Sequence, residues 1–177
     1  VMEAMTENLE IVMEYHKYTS AESESLTIWP YAVKEFAKRW YIIAYCVERK
    51  GLRVYGLDRV LSLEATDNVF KMPKAFDIDE MFATSFGTYI PEGKAELITF
   101  RTTAKEARFL RDLPLHASQE ELKGSDKEHV TFSIFVYPNE SLIMEFCKHG
   151  SRLEVLSPES VRQEVAEQLR AASDLYK

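Results

Sequence analysis

The residues best suited to chemistry in this chain are two arginines and two tyrosines near residue 50. Within the stretch 53–61, an extended strand would turn Arg53, Tyr55 and Arg59 to the same face, because side chains alternate between the two faces of a strand. Tyr41, in the preceding strand-like run, is predicted to lie near the same cleft. A guanidinium group binds phosphate through paired hydrogen bonds, and an aromatic ring can stack on a base. The spacing therefore favours a site for a phosphate-bearing ligand.

The same residues also have purely structural interpretations. A tyrosine in a strand more often packs in a core than binds a ligand. Arg59 directly follows Asp58 and is suited to a surface ion pair, which contributes about 0–1 kcal/mol. The run 49–51 is typical of a solvated hairpin turn. The sequence alone leaves both interpretations of this face open.

Residues for catalysis or metal binding show no comparable pattern. The four histidines lack the spacing His-x-x-x-His, and the two cysteines lack the spacing Cys-x-x-Cys. Cys147 and His149 lie two residues apart on a predicted helix and so point in different directions, and His149 is better placed to complement the helix dipole. Glycine-rich phosphate loops and nucleophile motifs are also missing. We therefore predict no catalytic residue, no metal site and no cofactor, and hence a protein that is not an enzyme.

Charge is distributed unevenly along the 177 residues. The chain as a whole has a net charge of −7. A protein that bound duplex DNA with its whole surface would be basic, so the charge disfavours that function. Residues 34–59, however, contain seven basic and three acidic residues, a local charge of +4. This basic stretch is predicted to face an anionic partner.

The cysteine content and the hydropathy pattern indicate the compartment. Cys46 and Cys147 are too few for a disulfide framework and favour a reducing, cytoplasmic environment. No apolar run reaches the length of about 18 residues that would span a membrane, so no membrane partner is expected. The opening residues do not resemble a natural start, and we expect further chain before Val1.

The first 70 residues are predicted to form a small β-barrel that positions the two arginines. Short strand-like runs joined by tight turns, with no long helix between them, are typical of that architecture. Pro30 predicts an edge strand or a bulge, and alternation places Trp40 in the core and Tyr41 nearer the cleft. The predicted strands cover residues 11–18, 28–36, 40–47 and 53–61, with Gly51 in the hairpin turn between the last two.

The rest of the chain is predicted to be a connector, residues 71–93, followed by a second domain, residues 94–177. The connector contains a short helix within 77–86 and a domain boundary near residues 91–93. The second domain has the order β-α-β-β-α-β and a final helix, which is typical of a ferredoxin-like fold. Its helix signals are a capping box that begins at Thr103, a C-terminal cap at Gly150, and an N-cap at Ser157 with Pro158 in the first helical position.

Two of the predicted strands resemble the signature of the WYL domain. Residues 39–42, Arg-Trp-Tyr-Ile, are similar to the family's Trp-Tyr-Leu triplet with Ile42 in place of leucine, and residues 53–60 are similar to its Arg-x-Tyr-x-Leu-Asp-Arg run. Residues 29–36 resemble the strand before the triplet, although Trp29 stands where relatives often carry a basic residue or histidine. Residues 147–158 resemble the WCX extension that usually follows a WYL domain.

The resemblance implies a bacterial ligand-responsive transcriptional regulator with an α+β fold. Residues 1–70 would be a small Sm/SH3-like β-barrel that senses a nucleotide or single-stranded nucleic acid, and residues 94–177 a ferredoxin-like domain with an extra C-terminal helix. An N-terminal winged helix-turn-helix, missing from this sequence, would bind duplex DNA. The predicted ligand-binding residues are Arg39, Tyr41, Arg53, Tyr55 and Arg59.

Two other functions remain open at the level of sequence. The chain is also compatible with an oligomerisation module of a DNA-binding regulator, without a ligand of its own, that forms a homodimer or a larger homo-oligomer. A small-molecule-binding enzyme without a recognisable motif is the third possibility. A concave basic patch built by Arg39, Arg53 and Arg59 would favour ligand sensing, whereas a flat apolar face would favour oligomerisation.

Overall fold

The computed structural model describes residues 1–91, 93–124 and 127–177. It consists of two compact units, an N-terminal unit, Val1–Ile78, and a C-terminal unit, Asp79–Lys177, each with its own hydrophobic core. The domain boundary predicted near residues 91–93 includes Glu92, which lies outside the described residues. The predicted domain limits stay a prediction.

The N-terminal unit is a sheet-rich, barrel-like domain, which confirms its predicted fold class. All neighbouring strands are antiparallel, in the order β4-β3-β2-β1-β5. Alternating apolar side chains from the strands, among them Ile11, Met13, Ile28 and Ile42, fill the core. The elements are α1 (Met2–Glu7), β1 (Leu9–His16), β2 (Ser23–Phe36), β3 (Arg39–Cys46), β4 (Gly51–Gly56), a 3-10 turn (Leu57–Arg59) and β5 (Val60–Val69).

The strand predicted over residues 53–61 is interrupted. β4 ends at Gly56, and the 3-10 turn carries the chain to β5, which pairs with β1 at the opposite edge of the sheet. A continuous strand could not make this crossing. Strand alternation therefore does not relate Arg59 to Arg53 and Tyr55, and the predicted reason for their shared face was wrong.

One further detail of the sheet differs from the sequence prediction, and another agrees with it. Trp40 shares its face of β3 with the fully buried Ile42 and Ala44, yet it is 53% exposed, so the prediction that it packs in the core was wrong. It lies at the outer end of the strand, beside the turn at residues 37–38, where fewer side chains cover it. Pro30 lies at a shift of register between β2 and β3, as a bulge requires, but β2 is an interior strand.

The C-terminal unit has the predicted ferredoxin-like order with a final helix. Its antiparallel sheet has the order β7-β8-β6-β9. Aromatic packing in the core includes Phe100, whose ring centre lies 5.8 Å from that of Phe132 and 5.4 Å from that of Phe146. The elements are α2 (Ile78–Phe82), β6 (Glu96–Thr103), α3 (Ala104–Asp112), β7 (Glu120–Glu121), β8 (His129–Val136), α4 (Glu140–Lys148), a second 3-10 turn (Gly150–Arg152), β9 (Leu153–Ser157) and α5 (Glu159–Asp174).

The helix ends follow the predicted signals in two places and depart from them in one. The Thr103 hydroxyl accepts a hydrogen bond from the Glu106 N–H at 3.3 Å and caps α3. Gly150 follows α4 with φ of 55°, the left-handed conformation that glycine adopts most readily. Ser157, predicted to cap α5, is instead the last residue of β9, and Pro158 occupies the N-cap without a side-chain hydrogen bond.

A polar cluster, in which Glu106 and His149 are buried, links α3 to the end of α4. His149 Nδ1 lies 2.8 Å from Glu106 Oε1, and Arg152 Nη1 lies 3.2 Å from Glu106 Oε2. Glu145 Oε1 lies 3.6 Å from His149 Nε2 on the other side of the ring. The carboxylates of Glu145 and Glu106 raise the pKa of His149 above its ordinary value. His149 is at the helix end, as predicted, but its charge partners are glutamates that the sequence did not reveal.

Candidate anion-binding site

The side chain of Arg59, in the 3-10 turn, lies between two tyrosine rings. Its Cζ is 5.3 Å from the ring centre of Tyr15 and 5.0 Å from that of Tyr18. Tyr15 is 3% exposed on β1, whereas Tyr18, in the turn that follows β1, is 69% exposed. A guanidinium at such distances is attracted to the ring faces by about 0.5–1 kcal/mol per contact at an exposed site. The two rings therefore fix the position of the cation.

Gly56 creates the space that Arg59 occupies. A Cβ atom at residue 56 would lie 2.9 Å from Arg59 Nη2 and 3.1 Å from Arg59 Nε, closer than such atoms pack. The Gly56 N–H donates a hydrogen bond to the Tyr15 hydroxyl at 3.3 Å, and the Tyr15 ring meets the Tyr55 ring edge-on at 5.0 Å. Because burial is the main influence on both tyrosines, their pKa values are raised and the hydroxyls stay protonated. Tyr15 and Tyr55 line the site, and Gly56 leaves room beside them for Arg59.

Arg59 has an unsatisfied hydrogen-bonding capacity. Its Nε is buried without a hydrogen-bond partner, and it forms no ion pair with any residue that the structure describes. Leaving a buried donor unpaired costs about 1–3 kcal/mol. Because the rings of Tyr15 and Tyr18 lie against the guanidinium, we expect a ligand to bind it through its N–H edges. A carboxylate or a phosphate group, each with two oxygens that can accept paired N–H bonds, suits those edges.

The neighbouring cations differ in whether a carboxylate already neutralises them. Arg49 Nη2 lies 2.6 Å from Glu24 Oε1, and Lys17 Nζ lies 3.0 Å from the same oxygen. Arg53 instead donates a hydrogen bond to the carbonyl of Leu52 at 2.6 Å, which leaves its charge in place. Arg53 therefore joins Arg59 as a cation available to an anionic ligand.

A cavity of about 300 Å³ connects these groups. That volume is at the lower end of the range for small-molecule pockets and suits one nucleotide-sized anion. Tyr15 and Tyr55 lie along its floor. Its polar lining includes Lys17, Tyr18, Thr19, Arg49, Arg53 and Arg59.

The structure brings three of the five predicted site residues to this cavity. Arg53, Tyr55 and Arg59 line it, but Tyr55 is only 3% exposed and offers little ring surface for stacking. Arg39 and Tyr41 are not among the lining residues. Tyr41 is half-buried on β3, opposite Gly56 of β4, and Arg39 Nη1 lies 3.1 Å from Asp58 Oδ2.

Sequence reasoning missed the residues that β1 and the following turn contribute. Tyr15, Lys17 and Tyr18 lie about 40 residues before the arginines, and they reach the cavity because β1 pairs with β5, with Tyr15 opposite Val60. The sequence offered one signal, the basic residue Lys17 between the aromatic residues Tyr15 and Tyr18. This signal did not stand out because the arginines that share the cavity are distant in the sequence.

Trp29, the departure from the WYL pattern, has a packing role. Its ring stacks between those of Tyr45 and Phe70, at 4.9 Å and 5.8 Å between centres. Its Nε1–H donates a hydrogen bond to Glu10 at 2.9 Å. All of its polar capacity is thus used within the N-terminal unit, and Trp29 does not line the cavity.

Within residues 1–91, 93–124 and 127–177, no group of three or more His, Cys, Asp or Glu side chains is arranged to hold a metal ion. No helix in the same residues is both long enough and apolar enough to cross a membrane.

The fold and the site define an α+β protein with a cation-lined cavity in a barrel-like unit and a ferredoxin-like unit after it. Comparison with known families agrees with that order. Residues 1–65 match the WYL domain and residues 94–173 match the WCX domain. The chain therefore belongs to the WYL-domain proteins and carries a WCX domain after its WYL domain.

Its relatives include two bacterial proteins of about twice its length. The chain is 26% identical over 166 residues to Protein PafB of Mycobacterium tuberculosis (strain H37Rv), covering 92% of this chain and 48% of PafB. It is 25% identical over 166 residues to the "Uncharacterized HTH-type transcriptional regulator YobV" of Bacillus subtilis (strain 168), covering 90% of this chain and 50% of that protein. The chain thus spans about half the length of the curated relatives it matches.

Two solved structures align over 99% of the chain. "Crystal structure of a CRISPR Cas-related protein" has a TM-score of 0.55 at 14% identity, with 49% of that protein covered, and supports the fold. "Proteasome accessory factor B/C (PafBC) of Arthrobacter aurescens" has a TM-score of 0.40 at 22% identity, with 26% of that protein covered.

Proposed function

We propose that this chain is the ligand-sensing region of a bacterial WYL-family transcriptional regulator, and that the Arg59 cavity binds a nucleotide or a single strand of nucleic acid. The observation that carries the proposal is Arg59 itself. It is held between two rings, has no carboxylate partner among the described residues, and opens into a cavity shared with Arg53. A cation that served only the fold would be expected to have an ion-pair partner.

The chemistry of the cavity favours phosphate as the bound group. Paired N–H donors of a guanidinium match two phosphate oxygens, and Arg53 on β4 supplies a second charge to the same cavity. Arg49 and Lys17, already paired with Glu24, contribute a weaker general attraction. The basic stretch 34–59 would also draw an anion toward the cavity.

The names of the relatives support a role in regulation. YobV is named an HTH-type transcriptional regulator, and we infer that duplex DNA is bound by such a helix-turn-helix and not by these 177 residues. Their net charge of −7 is consistent with that division. A regulator of this kind would act in the bacterial cytoplasm.

A second function, self-association, is supported by one specific observation. Leu97 and Phe135 are both exposed and lie directly opposite each other in the β6–β8 register. Such an exposed apolar pair is suited to a contact between two copies of the chain. Light scattering of the wild type and of Phe135→Ser at matched concentrations tests it, and a wild type that stays monomeric contradicts it.

The test of ligand sensing is a binding measurement on Arg59→Ala. The probe is a fluorescein-labelled ten-nucleotide oligothymidylate, followed by fluorescence anisotropy. Loss of a charged hydrogen bond to phosphate should weaken binding by about tenfold to hundredfold, from about 1.5–3 kcal/mol. Added salt should weaken wild-type binding as well.

The matched control is Arg108→Ala. Arg108 is an exposed arginine of α3 in the C-terminal unit, so the substitution removes the same charge away from the cavity. Its affinity for the oligonucleotide should stay within about twofold of the wild type. Equal affinity of Arg59→Ala and wild type, or unfolding of Arg59→Ala, would show that the arginine is structural.

A further inference from the structure

We infer that Tyr18 determines the specificity of the Arg59 cavity by providing the ring on which a base stacks beside the bound phosphate. The inference rests on the proposed function and assigns to Tyr18 the stacking role that the sequence assigned to Tyr41 and Tyr55. It predicts that the cavity distinguishes a phosphate attached to a nucleoside from a phosphate without a base.

The position of Tyr18 is fixed at the tip of its side chain. Its hydroxyl donates a hydrogen bond to Asp58 Oδ2 at 3.0 Å. Arg39 Nη1 donates to the same carboxylate oxygen at 3.1 Å and to the Tyr18 hydroxyl at 3.5 Å. These contacts hold an otherwise exposed aromatic side chain beside the cavity, with one face of its ring over the Arg59 guanidinium.

The exposure of Tyr18 leaves ring surface for a ligand. One face covers the guanidinium, yet 69% of the residue is exposed to solvent, so the opposite face is open. The open face of the ring adds no packing energy to the fold. Stacking of a base on an aromatic side chain, by contrast, contributes about 1–3 kcal/mol per base.

The other rings at the cavity cannot serve in this way. Among the lining residues that the structure describes, Tyr15 and Tyr55 are each only 3% exposed and belong to the core. Tyr41 is half-buried and outside the lining. Tyr18 is thus the ring whose face a base can reach while a phosphate lies at the N–H edge of Arg59.

The experiment compares probes that carry bases with probes that lack them. The first pair is adenosine diphosphate and inorganic pyrophosphate, measured by isothermal titration calorimetry. The second pair is the ten-nucleotide oligothymidylate and an abasic phosphodiester strand of the same length, measured by anisotropy. The two pairs also separate a mononucleotide ligand from a nucleic-acid strand, since the cavity chemistry is common to both.

Removing the ring should affect the probes that carry bases most strongly. Tyr18→Leu should weaken binding of adenosine diphosphate, of the oligothymidylate, or of both, by about fivefold to hundredfold. Because the ring also contacts Arg59, the affinity for pyrophosphate or the abasic strand should fall too, but by at most about threefold. Tyr18→Phe, which keeps the ring but loses the hydrogen bond to Asp58, should fall between Tyr18→Leu and the wild type.

Tyr176→Leu is the matched control, because Tyr176 is exposed after α5 in the C-terminal unit. It should bind every probe like the wild type. If Tyr18→Leu weakens all four probes equally, or none, the inference is overturned even though Arg59→Ala still loses binding. If the wild type binds none of the probes, the proposed function falls and the inference falls with it.

Discussion

Replacing Gly56 by alanine should weaken ligand binding in the cavity while it leaves the fold of the N-terminal unit intact. The backbone at Gly56, with φ of −70° and ψ of 127°, is extended and open to any residue. The added Cβ would lie 2.6 Å from Asp58 Oδ1, 2.9 Å from Arg59 Nη2 and 3.1 Å from Arg59 Nε. Every close contact is therefore with the end of a side chain, so Asp58 and Arg59 both have to move and the strand does not.

The expected change in stability is small because two effects oppose each other. Alanine restricts the unfolded chain and stabilises a compatible position by about 0.4–1 kcal/mol. Displacing Arg59 from Tyr15 and Tyr18 loses cation–π contacts of about 0.5–1 kcal/mol each. The net cost is on the order of 1 kcal/mol, which lowers the melting temperature of a unit of this size by about 4–8 °C or less.

The expected change in binding is large. If Arg59 can no longer present its N–H edge to phosphate, Gly56→Ala should lose most of the affinity that Arg59→Ala loses, about tenfold or more by anisotropy with the labelled oligothymidylate. Gly51→Ala is the comparison within the same strand, since its Cβ lies 3.2 Å from the flexible end of Arg53. We expect it to weaken binding by less than about threefold.

A double-mutant cycle decides whether Gly56 acts through Arg59. In the Arg59→Ala background, Gly56→Ala should lose much less affinity than it does in the wild type, because Arg59 is already gone and only the displacement of Asp58 remains. Additive losses from the two substitutions would refute this reasoning. So would a Gly56→Ala protein that binds as tightly as the wild type.

Three more outcomes are expected. Because its glutamate neighbours raise the pKa of His149, the stability it contributes is fully present below its ordinary pKa of about 6.5 and is lost as pH rises through the raised value. The melting temperature of the wild type should therefore fall relative to that of His149→Gln across this range, and parallel curves would contradict the assignment. Thiol counting with a chromogenic disulfide under denaturing conditions should find Cys46 and Cys147 both free, with a count of zero as the opposing result. Duplex DNA should bind these 177 residues with a dissociation constant of roughly 10⁻⁴ M or weaker at physiological salt. Sub-micromolar, sequence-selective binding in an electrophoretic mobility shift would contradict the proposal that a helix-turn-helix, and not these residues, binds duplex DNA.

The sequence determined the order of the elements and the family. Alternation predicted the strands of both sheets, helix caps such as Thr103 were correct, and the run from Arg53 to Val60 carried the resemblance that the WYL match confirms. These features are local, because propensity, periodicity and capping depend on residues a few positions apart. Arg53 and Arg59 could likewise be proposed as ligand-binding cations, because they lie only six residues apart in the same local pattern.

Only the tertiary structure decided how the site is built. The meeting of Arg59 with Tyr15 and Tyr18 depends on the pairing of β1 with β5 and on the 3-10 turn that ends β4, and Gly56 matters because Arg59 folds back over it. Which cations a carboxylate neutralises, and which aromatic rings are buried, are set mainly by contacts between residues about 20 to 45 positions apart, although Lys17 and Glu24 are seven apart. Such contacts follow from strand register and chain reversal, which many sequences with the same local pattern would arrange differently.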